Sequence, residues 1–217
     1  MCGRFNIAMT SGFVELVNNL RVSANFESRY NVAPTEMIPM IVEREGIREI
    51  ISSRWWLVPS WSEGPATKYA MFNARAETMA TSRAYKGLVR HKRCIIPVSS
   101  FIEWTTEEGG KQPYDITTIS GAMALAGLWD YWSNEEEGIY SCTIVTTEAV
   151  DEFRHIHERM PLILNEQEQK LWLDVASTPE KFAPLLIPHV SESFVIHKLS
   201  KSVNNSRNKA PVEYLAS

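Results

Sequence analysis

Apolar positions along the chain follow two periods, and the shorter one dominates. Between Thr10 and Leu20, the residues Phe13, Val14, Leu16, Val17 and Leu20 recur at helical spacing behind a Thr-Ser start, which predicts a capped amphipathic helix. Met37 to Val42 and Ile47 to Val58 are apolar, β-branched runs on either side of Glu43-Arg44-Glu45-Gly46, the pattern of a β-hairpin. Further strand-like runs cover Cys94 to Val98, Phe101 to Trp104, Tyr114 to Thr118, Met123 to Leu128 and Tyr140 to Thr147. Gly and charged turns separate them, Asn134-Glu135-Glu136-Glu137-Gly138 among them. Ala74 to Val89 is rich in helix formers, Asn165 can cap Glu166 to Leu173, and Thr178-Pro179-Glu180 starts a helix with Pro at its first position. Ser193 to Lys198 reads as a closing strand.

Many short antiparallel strands with peripheral helices predict an α+β fold: a curled antiparallel sheet or open barrel within a single domain spanning residues 1–217. No repeat or Gly/Ser/Pro-rich linker divides the chain, and no strand–Gly-rich turn–helix unit suggests a doubly wound nucleotide fold. With 217 residues, 44% of them hydrophobic and 22% charged, the composition excludes disordered and fibrous classes. No run approaches the roughly 18 apolar residues of a membrane span, and MCGRFNIAMT lacks the apolar core of a secretory signal. Cys2, Cys94 and Cys142 are odd in number and form no C-x-x-C pair, so no zinc knuckle or disulfide scaffold is expected. The chain reads as a soluble, reduced, cytoplasmic protein without metal or cofactor.

Net charge is −4, which by itself argues against a surface coated for nucleic acid. The distribution changes that picture. From Arg75 to Arg93 the chain carries six basic residues (Arg75, Arg83, Lys86, Arg90, Lys92, Arg93) against the single acid Glu77. Because salt screens charges beyond roughly 8–10 Å, an acidic protein can still present a basic groove. A solvated helix face is the other reading of that run.

Cys2 carries the most chemistry. Aminopeptidases favour a small second residue, so the mature chain is expected to begin with this Cys, which places a free amine and a thiol on adjacent carbons. Their ordinary pKa values, about 7.7–8.0 and about 8.5, leave both nucleophiles partly available near neutrality. Such a pair can attack an acyl carbon, as in N-terminal-nucleophile amidohydrolases. Alternatively, the amine can condense with an aldehyde to an imine that the thiol closes into a thiazolidine. A small buried residue is the structural alternative to both.

Seven segments in order raise a resemblance that covers nearly the whole chain. They are MCGRF at the start, RYNVAP at Arg29 to Pro34, FNARAET at Phe72 to Thr78, RCIIPVSSFIEW at Arg93 to Trp104, KQPY at Lys111 to Tyr114, AGLWD at Ala126 to Asp130 and IHERMPLIL at Ile156 to Leu164. Together they resemble the SOS response-associated peptidase (SRAP) family of abasic-site processing proteins. The resemblance implies a DNA-damage response protein that binds single-stranded DNA and traps the aldehyde of an abasic site through an N-terminal Cys. It implies removal of Met1, and its name carries a suspected protease activity. On the matching positions, Cys2 is the cross-linking nucleophile, Asn73 orients substrate or terminus, Glu103 is the acidic catalyst and His157 the catalytic His. Arg4, Asn31, Arg75, Arg83 and Arg159 fall at or beside DNA-contacting positions, and Trp55 and Trp61 lie in the segment whose aromatic side chains wedge against bases. The sequence departs from the pattern at Trp56, where Gly is usual, and at Ser100 and Ile102, where Gly and Tyr are usual.

The chemistry suits these residues. An abasic sugar reacts only in its open aldehyde form, and ring opening moves a proton off the anomeric hydroxyl and another onto the ring oxygen. His157 is suited to that exchange. Glu103, in the apolar setting Phe-Ile-Glu-Trp, is expected to have a raised pKa and to serve imine formation and dehydration. Asn73 can hydrogen-bond the amine or a sugar hydroxyl while staying neutral. His155 and His157 alternate, which on a strand would put both on one face. The expected partner is single-stranded DNA containing abasic sites, met by a monomer. Rival readings are an amidohydrolase or autoprotease acting on peptide-like substrates, and a DNA-junction binder with no covalent step.

Overall fold

The computed structural model describes residues 2–23 and 25–216. Twelve strands and five short helices follow one another among them. The strands are β1 (Phe5–Ile7), β2 (Arg29–Val32), β3 (Met37–Arg44), β4 (Ile47–Trp55), β5 (Asn73–Arg75), β6 (Arg93–Val98), β7 (Ser100–Glu107), β8 (Gly110–Thr118), β9 (Met123–Ser133), β10 (Gly138–Glu148), β11 (Arg159–Pro161) and β12 (Phe194–Lys198). The helices are α1 (Ser11–Asn19), α2 (Ala76–Met79), α3 (Leu88–His91), α4 (Glu166–Leu173) and α5 (Pro179–Phe182).

Strand pairing runs β10–β4–β3–β6–β9 and returns from β9 to β10, so five strands close into a barrel. The α+β class with a curled sheet is as the pattern predicts, and the curl goes far enough for the five strands to meet. The β10–β4 pairing that helps to shut the barrel is parallel, a contact that local sequence pattern cannot signal. β5 and β11 extend β10 beyond the ring. Gly127 on β9 allows the close packing inside, because a Cβ there would lie 2.3 Å from Ile96 Cδ1 and 2.8 Å from Cys94 Sγ. A second sheet, ordered β12-β8-β7-β1-β2, packs alongside. Phe5 of β1 meets Trp55 of β4 with ring centroids 4.8 Å apart, so the two sheets share one apolar core.

Local signals explain most elements. Thr10 Oγ1 accepts from the Phe13 N–H, capping α1, whose Phe13 and Val17 are buried. Asn165 and Glu168 form a capping box on α4. The β3–β4 hairpin is tighter than predicted: pairing reaches Arg44↔Ile47, and Glu45 and Gly46 both take positive φ (53° and 77°), as a two-residue hairpin turn with the sheet's own twist requires.

Two expectations are corrected. Ala74 to Val89 is not one helix. Asn73, Ala74 and Arg75 pair in parallel with Ile144, Val145 and Thr146, and only the single-turn α2 and α3 follow. Residues 80–87 between them supply no apolar stripe, and Thr81 turns the chain by donating to the Thr78 carbonyl. His155 and His157 do not share a strand face either; residues 151–156 form turns, His155 is exposed and β11 begins only at Arg159.

Candidate active site

The start of the chain runs along the seam between the two sheets. Phe5 pairs with Phe101 and Asn6 with Ser100, and the Ile102 N–H donates to the Arg4 carbonyl at 2.9 Å. This antiparallel register carries Cys2 alongside the stretch of β7 that holds Glu103. From the barrel side, Asn73 of β5 reaches across and donates from Nδ2 to the Cys2 carbonyl at 2.8 Å. Three residues far apart in sequence are thus brought together by one hydrogen bond and one strand register.

Electrostatics tie them more closely. Cys2 has no exposed surface. Burial, and then the nearby Glu103 charge, push its thiol well above the usual range, while the Arg4 backbone N–H pulls the other way by favouring the thiolate. Glu103 is only 4% exposed. Burial raises its carboxyl to about 7, against the opposing influence of the Trp104 backbone N–H and the Lys111 charge. The raised value expected from the apolar Phe-Ile-Glu-Trp setting is therefore present. Asn73 Oδ1 is buried without a hydrogen-bond partner among the described residues, an acceptor facing no donor.

His157 precedes β11, half-buried. The Arg159 backbone N–H donates to its Nδ1 at 2.9 Å, which leaves the imidazole proton on Nε2. Burial lowers its pKa, which favours the neutral ring. Met1 lies outside the described residues, so its expected removal has no counterpart in the structure.

The residues expected at DNA divide. Trp61 and Arg83 are exposed and meet: the Arg83 guanidinium stacks 4.5 Å from the Trp61 ring, and both residues line two open hollows of about 560 and 720 Å³. Arg75 is exposed as well. Arg159 is held by Glu77, with Nη2–Oε2 at 3.0 Å, and by the Thr146 carbonyl. Arg4 is half-buried, and its Nη1 donates to Asn31 Oδ1 and to the Val203 carbonyl. Asn31 has no exposed surface, and its side-chain amide donates to the carbonyls of Val203, Asn205 and Asn208, so in this structure it braces the segment that follows β12. Trp55 is likewise core, and Trp56 bonds Thr67 and packs on Phe72.

The basic run is also thinner than its sequence. Arg93 is buried and donates to the carbonyls of Trp172, Val89, Arg90 and Asp174. Lys92 pairs with Asp130 at 2.6 Å. Arg75, Arg83, Lys86 and Arg90 remain exposed.

Sequence reasoning missed two supports of the site. Tyr85 donates to the Asn73 carbonyl at 3.3 Å and so steadies β5. Glu77 holds Arg159, yet in the sequence it counted only as the lone acid of a basic stretch. Among the described residues no His/Cys/Asp/Glu group is arranged to hold a metal, and no helix is long and apolar enough to cross a membrane.

With this geometry in place, comparison with known proteins is decisive. Residues 1–206 match the family described as SOS response associated peptidase (SRAP). The chain belongs to that family. It is 34% identical to the abasic site processing protein YoaM of Bacillus subtilis, over 97% of this chain and 96% of that one. It is 33% identical to the abasic site processing protein HMCES of Xenopus tropicalis, over 87% of this chain and 66% of that longer protein. In fold it is similar to a crystal structure from Bacteroides thetaiotaomicron, with a TM-score of 0.80, 24% identity and coverage of 91% of this chain and 93% of that one.

Proposed function

We propose that this protein acts in the DNA-damage response by capturing abasic sites in single-stranded DNA as a covalent adduct on Cys2, after Met1 has been removed. The observation that carries the reading is the juxtaposition at the seam: Cys2 is held by Asn73 and lies beside a buried Glu103 whose carboxyl titrates at about 7. The names of the SRAP relatives supply the substrate class.

The reaction balances without a cofactor. The liberated Cys2 amine adds to the open aldehyde of the sugar to give a carbinolamine, and loss of hydroxide, protonated to water, gives the imine. The thiol sulfur then bonds to the imine carbon while its proton passes to the nitrogen, closing a thiazolidine. Overall, amine, thiol and aldehyde yield the ring and one water. Glu103, near half-ionised at neutrality, can give a proton to the departing hydroxide and take one from the thiol or ammonium. Asn73 Oδ1, an acceptor with no donor among the described residues, suits the ammonium of the mature terminus or a sugar hydroxyl. His157, neutral with its proton on Nε2, donates to the sugar oxygen as the ring opens. All four groups come from one chain, so a monomer suffices, and the cytoplasm or nucleoid is the fitting location.

The test is incubation of mature protein with an oligonucleotide bearing one abasic site, read as a denaturant-resistant shift. The expected result is an adduct that Cys2→Ala abolishes. An undiminished adduct in Cys2→Ala, or turnover of peptide amides with no adduct at all, overturns the reading.

A further inference from the structure

We propose that Asn31 and the segment 203–209 form a strap that positions Cys2 through Arg4, so that the end of the domain sets the reactivity of its beginning. What Cys2 reacts with rests on the function proposed above; the strap itself rests on geometry. Asn31 sits in β2 with φ of 51°, a left-handed conformation that Asn tolerates better than most residues. Its Nδ2 faces three carbonyls, those of Val203 (3.1 Å), Asn205 (3.0 Å) and Asn208 (3.0 Å). Its Oδ1 accepts from Arg4 Nη1 at 2.7 Å, and the same nitrogen donates to the Val203 carbonyl at 3.0 Å. Lys209 Nζ closes the loop on the Asn31 carbonyl at 2.8 Å and pairs with Glu36. A further anchor is Trp104, whose Nε1 donates to Asn204 Oδ1 at 2.7 Å while its ring lies 5.7 Å from the Arg4 guanidinium.

Arg4 passes this constraint on. Its side chain is fixed by the strap, its carbonyl by Ile102, and its N–H faces the Cys2 sulfur. β1 has only three residues, and the Cys2-Gly3 lead ahead of it is held by the burial of Cys2 in the core, by the Asn73 bond to the Cys2 carbonyl and by Arg4. Misplacing a reacting group by about 1 Å can cost on the order of a hundredfold in rate. Three converging carbonyls require a donor at their centre, and Asn31 supplies it without a charge.

The test uses mature protein carrying Asn31→Asp or Asn31→Gly. Asp keeps the shape and the acceptor for Arg4 but turns a carboxylate oxygen on the three carbonyls; Gly keeps the left-handed backbone and removes the hub. Two capture rates are measured by mass, one with formaldehyde and one with an abasic oligonucleotide, beside affinity for the same oligonucleotide without the lesion. Both rates should fall by about tenfold or more. Because Arg4 is itself expected at DNA, the formaldehyde rate, which needs no DNA contact, is the deciding readout, and the affinity shows how much of any further loss with the oligonucleotide comes from binding. The pH at which formaldehyde capture reaches half its maximum should move upward, because the thiolate loses a well-placed N–H. Unchanged rates and pH dependence in a folded variant, or a loss confined to the abasic oligonucleotide with formaldehyde capture intact, would overturn the strap. If neither variant folds, Asn204→Ala and Lys209→Met carry the same prediction at about threefold each, from single lost bonds. Wild-type capture of formaldehyde without capture of the abasic site would count against the abasic reading and still leave the strap tested by formaldehyde.

Discussion

The seam between the sheets and the flank from Trp61 to Arg90 use polar residues in opposite ways. At the seam, Cys2 and Glu103 are buried, Asn73 is bonded to the chain's start, and both titratable groups are displaced from their ordinary range. On the flank, Trp61, Arg83, Lys86 and Arg90 are exposed, and Arg83 stacks on Trp61. Burial alters acid–base behaviour at the cost of access, whereas exposure leaves charge free for attraction that salt screens. Rate and affinity should therefore separate by region, and that separation is open to test.

The largest expected effect is at the seam. Cys2→Ala should abolish the adduct while leaving affinity for lesion-free DNA within about twofold, measured by denaturing gel and anisotropy. Arg93→Met tests the apparent basic run from the other side. Because it strips several buried carbonyls of their donor, it should cost about 3 kcal/mol or more in chemical unfolding. Were Arg93 a DNA contact, the loss would appear in affinity instead.

Glu103→Gln should slow capture by about a hundredfold and erase the inflection near pH 7 in the rate profile. It should also stabilise the protein in alkali. The folded carboxyl titrates above its unfolded value, so its contribution is favourable below about pH 4.5 and is lost as pH rises through about 7. At pH 8 the ionised, buried carboxylate costs on the order of 3 kcal/mol, which Gln removes. Thermal melts should show Glu103→Gln above wild type at pH 8 and level with it at pH 4.

Smaller effects belong to the flank. Trp61→Ala should weaken single-stranded DNA binding by roughly 1–3 kcal/mol, with an unchanged capture rate at saturating DNA. Arg83→Ala should lower the slope of log affinity against log salt by about 0.7. A fall in saturated capture rate in either variant would blur the division between regions.

The sequence made some of this legible and hid the rest for physical reasons. Period-two apolar runs and a Thr-Ser cap sufficed for the β3–β4 hairpin and α1, since both depend on neighbours. The shut barrel depends on β4 meeting β10 in parallel, a contact between residues about 87 positions apart that no local pattern encodes. Likewise the basic stretch Arg75 to Arg93 looked like one helix because helix formers are plentiful, yet pairing with β10 overrode propensity at its start. Glu103 was readable, because its apolar flanks signal burial. Asn31 was not: an Asn in RYNVAP gives no sign of whether it faces DNA or braces the strand beneath Arg4.

The most direct test is the intact mass of protein purified from its native cell and mixed with a single-stranded oligonucleotide carrying one abasic site. The account predicts one new species, equal to the chain lacking residue 1 plus the oligonucleotide minus one water, and its absence with Cys2→Ala. A chain that retains its first methionine throughout, or an adduct mapped to any side chain other than Cys2, would contradict it.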